Sequence, residues 1–558
     1  MATMESRIYS NFRGADFRGE EINIVRSPDC LNVWKDYKNT DSIRTRPGFE
    51  LFKAFSAPVY GVFFHKSVAI VHSGKKLYRV DDKNTATEIY AGLKEAASRA
   101  FIFGEMLYIK DGKNYLQYDG TRVREVEGYV PTTTIARKPA GGGTPYEDVN
   151  MLSDRRKNTF LGDGKSVKYS LDATNIDNDF RPVVTVDGTV IERGKYSVNY
   201  TDGTVTLLEA PPEPLTEGQD NVTIEFKKTI QGHRDAILKC TLLQVFDNRV
   251  FFSGNEEQPN MIRHCSLDNP TYCSDTDYYN EGLDTAKVKG MVAGNNALWV
   301  FREPSNANTT VFYHTPALDD EFGKIYPSTH SSVTTGCVGT AINFNDDIVF
   351  FSDRGMEGIS GDVTTEQVLS HRSSLVDRKL TVEAGYADMI LEEWEGYLLV
   401  FIGEKVYLAD SRGTFMNVNH FEYEWFYWDL GKKVICTCVE NGVLYLGTDD
   451  GVYTLTDNEV AVESYWVTPK DKFEHPHKLK TSNKRGCVAE ATGDISIYAK
   501  VEDTDFELIG TYKDIEDYFV SRIKRKKFKD IQLKFYTDTR FSLETVTLEC
   551  FIGGYVKR

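Results

Sequence analysis

The sequence predicts an all-β protein, and three observations lead to this prediction. Tyr and Phe are abundant, at 31 and 32 of 558 residues, and both favour half-buried strands. Short apolar runs preceded by turn-forming residues recur along much of the chain. Helical periodicity of apolar residues is scarce. A chain of this length exceeds one hydrophobic core, so we also expect several domains.

The most informative pattern is a pair of turn-forming or polar residues followed by a short apolar strand. The pattern occurs as DNRVFFSG from Asp247, NNALWVF from Asn295, DDIVFFSD from Asp346, EGYLLVFIG from Glu395 and NGVLYLGT from Asn441. With the second turn residue placed at 248, 296, 347, 396 and 442, successive units are separated by 48, 51, 49 and 46 residues. A period near 40 to 50 residues with several short strands per unit is typical of β-propeller blades.

Two earlier segments share this pattern, which brings the number of blade-like units to about seven. They begin at His65, as HKSVAIVHSGKKLYRVDD, and at Gly104, as GEMLYIKDGKNYLQYDG. Within the units, 440–457 has the order strand, Asp-Gly turn and strand, which indicates a hairpin. The predicted fold class is therefore an all-β β-propeller.

The regular spacing of the units is interrupted between the turn positions 105 and 248. Subtracting one blade of about 45 residues from this interval leaves about 100 residues. Asp-Gly turns at 187–188 and 202–203 separate alternating strands in this segment. The pattern predicts an inserted β-sandwich or barrel. Alternation with period two returns at 493–513 and 529–556, which predicts a C-terminal β-domain.

These patterns predict five consecutive parts of the chain. They are an N-terminal extended arm (1–58), the first part of the propeller (59–126), an inserted β-domain (127–234), the remainder of the propeller (235–458) and a C-terminal β-domain (459–558). Pro and Gly with few helix signals in the arm predict that it packs on its own propeller or reaches a neighbouring chain.

The formal net charge of -17 disfavours a protein that grips nucleic acid, because phosphate neutralisation needs clustered Lys and Arg. An acidic surface is compatible with a conduit along which DNA slides, although solubility alone explains the charge better. Nine cysteines without repeated spacing, including Cys436 and Cys438 in one strand-like run, predict reduced and mostly buried thiols. The N-terminus has no apolar signal region, and no stretch of about 18 apolar residues occurs, so we expect synthesis in a cytoplasm and no membrane segment.

Several segments combine in an order that points to a known family. The opening 11–52 holds Asn11, Phe12 and Gly14, then Pro28, Leu31 to Val33 and Arg44 to Gly48, before the first blade. PNMIRHCSLDNPTYCSDTDYYNEG (259–282) precedes a blade, TGCVGTAINFNDDIVFFSDRGMEGISG (335–361) forms another, and the insert holds FLGDGKSVKYSL and VDGTVIERGKYSVNYTDGTVTLLEAPP. In this order the segments resemble propeller proteins of the tail nozzle, tail hub or head-closure region of podoviruses and related tailed bacteriophages.

The resemblance implies a structural role in the virion tail. The family forms a homo-oligomeric ring, usually sixfold, which stacks on other tail or head-tail connector proteins around a channel. Double-stranded DNA passes transiently through that channel without specific binding, and the protein takes part in tail assembly and genome ejection. The inserted domain corresponds to a platform-type β-domain. The family implies synthesis in the bacterial host cytoplasm, no cofactor and no catalysis.

The usual short catalytic motifs are missing, so we predict that the chain is not an enzyme. H-E-x-x-H, G-x-x-x-x-G-K-[ST], a G-x-S-x-G elbow and a G-x-G-x-x-G after a strand do not occur. A glycosidase remains an alternative, because its paired carboxylates carry no short motif. Two acidic clusters offer such carboxylates, although solvated loop charge explains them better. They are Asp319, Asp320 and Glu321, and Glu392, Glu393 and Glu395.

Three further segments suggest ligand sites, and each lacks an essential part. His475 and His477, with Glu474 beside them, suggest a metal site, but a two-ligand turn without a third and fourth partner is usually only a turn. Asp177 and Asp179 begin like a calcium loop, but Pro182 stands where Gly is needed and no Glu closes the loop. The glycine run 138–144 has no Lys-Ser after it, and we interpret it as a flexible entry to the insert. We therefore predict no catalytic, cofactor-binding or metal-binding residues.

The densest basic charge lies in 521–530, at Arg522, Lys524, Arg525, Lys526, Lys527 and Lys529. This run suits contact with DNA phosphates, contact with an acidic neighbouring protein, or a solvated strand edge that Lys protects from aggregation. The main alternative to the tail role is a carbohydrate-binding adhesin or receptor-binding propeller. In that case Trp394, Trp425 and Trp428 would stack on sugar rings, although most Trp in a propeller packs between blades.

Overall fold

The computed structural model describes residues 3–36, 38–307, 309–320, 323–360, 366–412, 423–456, 460–523 and 527–555. The chain divides into two compact units. Unit 1 consists of Met1–Ala97, Trp299–Tyr313 and His330–Arg558, and unit 2 of Ser98–Leu298 and His314–Thr329. Helices among the described residues are short: His233–Leu238 and Asp377–Leu380 are α-helical, and Arg193–Lys195 and Tyr386–Asp388 are 3₁₀ turns.

Seven sheets of the described chain have four strands each, and we number them as blades. Blade 1 has Val59–His65, Val68–Ser73, Lys76–Val80 and Ala86–Ala91; blade 2 has Arg99–Phe103, Met106–Lys110, Tyr115–Tyr118 and Val123–Glu125; blade 3 has Leu242–Phe246, Arg249–Ser253, Met261–His264 and Tyr278–Asn280. Blade 4 has Val288–Gly294, Ala297–Arg302, Val311–His314 and Ser328–His330; blade 5 has Ala341–Phe344, Asp347–Ser352, Gly355–Ser360 and Val368–His371. Blade 6 has Ile390–Trp394, Tyr397–Ile402, Lys405–Asp410 and Glu424–Asp429; blade 7 has Cys436–Glu440, Val443–Gly447, Gly451–Thr456 and, from near the N-terminus, Gly48–Ala54.

Within each unit, the first strands of successive blades contact one another, as radially arranged blades require. In unit 1 the first strand of blade 5 contacts that of blade 6, blade 6 contacts blade 7, and blade 7 contacts blade 1. In unit 2 the first strands of blades 2, 3 and 4 contact in the same order. Second strands are the most buried, and all six residues of Tyr397–Ile402 are inaccessible to solvent or nearly so. The predicted all-β β-propeller is confirmed.

In six of the seven blades, both residues of the first hairpin turn have positive φ, a conformation that matches the twist of the paired strands. Both turn residues have positive φ at Lys66-Ser67, Asp247-Asn248, Asn295-Asn296, Asn345-Asp346, Glu395-Gly396 and Asn441-Gly442. One of the turn positions predicted from the sequence is wrong. Asp347 is not a turn residue but begins a strand, opposite Phe344. Asn345 supplies the first turn position, and with Asp346 as the second the spacing on either side becomes 50 residues.

The insert is a β-sandwich within unit 2. Its larger sheet has six strands: Thr132–Arg137, Thr144–Pro145, Arg155–Phe160, Val183–Val186, Thr189–Val190 and Val222–Lys227. Its smaller sheet has Lys168–Ser170, Tyr196–Asn199 and Thr204–Leu207. The two sheets share one buried core, which includes Phe160, Tyr169, Val205 and Ile224. Unit 2 also contains the small hairpin Ala317–Asp319 and Gly323–Ile325.

The N-terminal segment differs from the extended arm expected for 1–58. Its strands Thr3–Tyr9, Cys30–Leu31, Val33–Asp36 and Asn39–Thr45 belong to an eleven-stranded sheet with the C-terminal strands. The remaining strands of that sheet are Ser464–Val467, Lys478–Val501, Glu507–Ile515, Tyr518–Ser521, Lys527–Phe528, Ile531–Thr537 and Phe541–Tyr555. Pairing with Phe541–Tyr555 satisfies backbone groups that an isolated arm would leave to solvent.

Candidate functional site

Glu392 and Glu393 of the second acidic cluster do not form a facing pair of carboxylates. Glu392 and Glu393 are consecutive in a strand, so their side chains point to opposite faces of the sheet. Glu392 is half-buried, and burial raises the pKa of its carboxyl, whereas Glu393 and Glu395 are exposed. In the other cluster Asp320 is exposed, and Glu321 lies outside the described residues.

The histidine turn at 474–477 binds the N-terminal strand. His475 Nε2 lies 2.9 Å from Glu5 Oε1, and the Arg7 guanidinium pairs with Glu474 at 3.1 Å. His477 is exposed. Across the part of the chain that the structure describes, no three His, Cys, Asp or Glu side chains are grouped so that they could hold a metal ion.

Asp177 and Asp179 fasten the last strand of the insert. Asp177 Oδ2 accepts hydrogen bonds from the Thr229 backbone N–H at 2.8 Å and from the Thr229 hydroxyl at 2.5 Å. Asp179 pairs with Lys227 at 2.5 Å. Both carboxylates are therefore held by neighbouring protein groups.

The glycine run is not the linker that the sequence suggested. Gly141, Gly142 and Gly143 have φ values of 117°, 80° and 98° and lie in the connection between two paired strands, in which Ile135 lies opposite Thr144. Positive φ at three consecutive positions is accessible to Gly and disfavoured for other residues. The run therefore closes a hairpin of the larger insert sheet.

The three Trp residues considered for sugar stacking are buried. Trp394, Trp425 and Trp428 are 9%, 0% and 1% exposed. Trp34 stacks on Trp394 at 5.5 Å between ring centroids and meets Trp428 edge-on at 5.7 Å. The Trp428 indole N–H donates to the Val33 carbonyl. These rings attach the N-terminal segment to blade 6 and offer no open face to a sugar.

Buried charged side chains also attach the N-terminal segment to blade 6, and the sequence did not predict this role. Glu424, 3% exposed at its side chain, pairs with Arg13 at 2.7 Å and Lys35 at 3.3 Å. Arg46 donates hydrogen bonds to the Asn32 side chain and to the Asp429 carbonyl, and burial lowers the pKa of its guanidinium to about 10. Arg46 belongs to the R-x-R-P-G motif at 44–48, and this motif was the sequence signal from which the attachment could have been predicted.

The cysteines are free in this structure. Seven of the nine are buried, and Cys436 and Cys438 are half-buried. Burial raises the pKa of both thiols to about 12, so they remain protonated at neutral pH. This agrees with the reduced and mostly buried thiols expected from the sequence.

Negative charge is concentrated in the later blades. Residues 235–458 contain 34 of the 83 Asp and Glu residues but only 15 of the 66 Lys and Arg residues. Exposed carboxylates lie at the first hairpins of blades 5 and 6, at Asp346, Glu393 and Glu395, and Glu440 ends the first strand of blade 7. We call these four residues the acidic hairpins.

Positive charge is exposed in the C-terminal sheet. Arg522, Lys527 and Lys529 of the predicted basic run are exposed, and Lys524, Arg525 and Lys526 lie outside the described residues. Candidate functional surfaces on this chain are therefore the acidic hairpins of the propeller and the basic residues of the C-terminal sheet.

No family model and no curated protein matches the chain. The chain is similar to the crystal structure of BamB from Moraxella catarrhalis, with 11% identity, 76% of this chain and 92% of that chain covered, and a TM-score of 0.33. It is also similar to YCF48 bound to D1 peptide, with 6% identity, 75% and 100% coverage and a TM-score of 0.33. The N-terminal domain of Nup159 gives 10% identity, 74% and 95% coverage and a TM-score of 0.33.

None of the helices in the described ranges is long and apolar enough to cross a membrane.

Proposed function

We propose that this chain is a structural subunit of a bacteriophage tail, which forms a ring around the DNA path and takes part in tail assembly and genome ejection. The observation that carries the proposal is the order of segments that resemble the tail nozzle and hub family. The first of these segments, 11–52, contains most of the strand Gly48–Ala54 that completes blade 7, and the residues that attach the N-terminus to blade 6.

The charge distribution supports a surface past which DNA slides. A duplex carries dense negative charge and binds proteins through clustered cations. Residues 235–458 instead hold more than twice as many acidic as basic residues. A tail ring lined by such a surface would let DNA pass without retaining it.

The packing supports a rigid subunit. The buried Trp34, Trp394 and Trp428 and the buried Glu424 with its two cationic partners join the N-terminal segment to blade 6 through both ring contacts and charge. Groups held in this way fix one geometry, which a subunit of a closed ring needs for identical repeated contacts.

Electron microscopy tests the proposal. Virions of the phage that encodes this chain would be labelled with an antibody against the purified protein and viewed in negative stain. We expect label on the tail axis and ring-shaped particles of the protein in disrupted virions. Label confined to the capsid or absent from purified virions would contradict the proposal.

A carbohydrate-binding adhesin is the alternative function, and the buried Trp394, Trp425 and Trp428 give it no support. A glycan array with the purified protein separates the two functions. Binding to one glycan class, lost on substitution of an exposed aromatic residue such as Tyr146, would favour the adhesin.

A further inference from the structure

Five cationic side chains of the C-terminal sheet are exposed and form no ion pair with any described residue. We call them the basic cluster: Lys484, Arg485, Arg522, Lys527 and Lys529. Three of them belong to the basic run of the sequence, and the other two come from a part of the chain some 40 residues earlier.

Strand register brings these residues together. Lys484 and Arg485 lie at 483–486, where the pairing register of the long strand that begins at Lys478 shifts; we call this segment the irregularity. Lys527 is paired with Thr481 before this irregularity, and Arg522 directly follows the residue paired with Cys487 after it. The cluster is therefore one surface that surrounds the irregularity.

None of the five cationic side chains of the basic cluster has an ion-pair partner among the described residues. By contrast, the half-buried Lys432 pairs with Asp450 at 2.8 Å. Near the cluster, the Glu549 carboxylate accepts a hydrogen bond from the Asn483 side chain at 2.8 Å. Five unpaired cations on one surface repel one another, so an anionic partner is expected to relieve that repulsion.

We propose that the basic cluster docks onto the acidic hairpins of a second copy of this chain. This inference rests on the proposed ring and names the contact that joins its subunits. Two copies placed side by side repel through their acidic segments 235–458. Cations that face the acidic hairpins of the neighbour replace this repulsion with attraction and fix the orientation of the contact.

The contact joins two different surfaces of the same chain. Such a heterologous contact, repeated around an axis, generates a closed ring when the rotation closes. A contact between identical surfaces would give a dimer and would place one basic cluster against another.

DNA is the other polyanion in the proposed setting, and the charge distribution favours the second copy. The net charge of the chain is -17, and residues 235–458 contribute the largest excess of carboxylates, so the chain as a whole repels a duplex. A neighbouring copy instead presents its carboxylates at discrete hairpins.

Charge reversal of the basic cluster tests the contact. The full-length chain and the variant Arg522→Glu/Lys527→Glu would be compared by sedimentation velocity at low salt. We expect the dissociation constant for self-association of the variant to be at least about tenfold higher than that of the unmodified chain. The matched control Lys165→Glu/Lys168→Glu reverses two exposed lysines of the insert and is expected to associate like the unmodified chain. Trp fluorescence would establish that each variant is folded.

A complementary variant identifies the partner surface. Glu393→Lys/Glu440→Lys is expected to associate as weakly as the basic-cluster variant, because its hairpins then repel a basic cluster. A mixture of the two variants restores opposite charges at both contacts. Association restored in the mixture, but in neither variant alone, is the expected result.

Three outcomes would overturn the proposal. In the first, the Arg522→Glu/Lys527→Glu variant self-associates as strongly as the unmodified chain. In the second, this variant loses binding of a DNA duplex while its self-association is unchanged, which would assign the cluster to DNA. In the third, the unmodified chain stays monomeric at low salt. The tail role is tested separately by labelled virions, so it can stand when this contact fails.

Discussion

Buried charged side chains determine how residues 13–46 attach to blade 6. The Glu424 carboxylate is almost inaccessible, and a buried charge is tolerated only where partners compensate for its lost hydration. Arg13 and Lys35 supply that compensation from the N-terminal segment. Removal of either cation would leave the carboxylate partly uncompensated, so this attachment depends on both cations.

His371 gives a test of charge pairing at a single residue. Its ring lies between Glu357, 3.0 Å from Nδ1, and Asp377, 2.5 Å from Nε2. Hydrogen bonds to Asp377 and Glu357 raise the pKa of the imidazole to about 9. The unfolded chain has an imidazole pKa near about 6.5. Since the folded pKa is the higher one, the stabilisation is complete below pH of about 6.5 and is lost as pH rises through about 9.

The variant His371→Gln measures this effect. We expect it to unfold at a lower temperature than the unmodified chain near pH 6, with the difference much reduced above pH of about 9. All six Trp residues belong to unit 1, so Trp fluorescence follows the unfolding of the unit that contains His371. His477→Gln, at an exposed His, is the control. A difference independent of pH would contradict the charged pairing.

At the scale of elements, the first hairpins explain why the blades could be recognised. Two successive residues have positive φ at these turns in six of the seven blades, and Asn and Gly accept that conformation most readily. Among these turns, Asn441-Gly442 matches this preference best. Glu395 has φ of 51°, where Glu is strained, so this turn of blade 6 is suboptimal.

Glu395→Asn is therefore expected to stabilise unit 1. It creates an Asn-Gly turn, and we expect the free energy of unfolding to rise by about 0.5 to 1 kcal/mol. Urea unfolding followed by Trp fluorescence measures the change. Glu393→Asn removes the same charge from an extended strand residue, where Asn is disfavoured, and is expected to be neutral or destabilising. Equal stabilisation by both variants would assign the effect to charge rather than to the turn.

At the scale of the whole molecule, the acidic imbalance acts on stability. With a net charge of -17, like charges lie closer together in the folded state than in the expanded unfolded chain. They therefore repel one another more strongly in the folded state. Much of this charge lies in 235–458, which includes blades 5 to 7.

We expect moderate salt to stabilise the protein. Between low ionic strength and about 0.3 M NaCl, screening of the repulsion should raise the unfolding temperature of unit 1 by about 2 °C. KCl should act equally, because screening depends on ionic strength and not on one ion. A fall in unfolding temperature with NaCl would show that attractive ion pairs outweigh the repulsion.

Local patterns made much of the propeller predictable. Turn residues and apolar strands lie next to each other in the chain, so the first hairpins and the position of the insert could be read from the sequence. The register error at Asp347 arose because three consecutive polar residues, 345–347, fit the turn equally well in either frame. The candidate surfaces were only partly predictable, since Lys484 and Arg485 join Arg522 through strand pairing alone.

The sequence by itself determined the all-β class, the period of the blades and the excess of negative charge, because these follow from residue types and short spacings. Only the tertiary structure decided that Gly48–Ala54 completes blade 7, that Thr3–Tyr9 pairs with Phe541–Tyr555, and that Trp394 is covered by Trp34. Backbone hydrogen bonds and ring contacts between residues hundreds of positions apart leave no local signal. They form wherever the folded chain brings unpaired strand edges and apolar faces together.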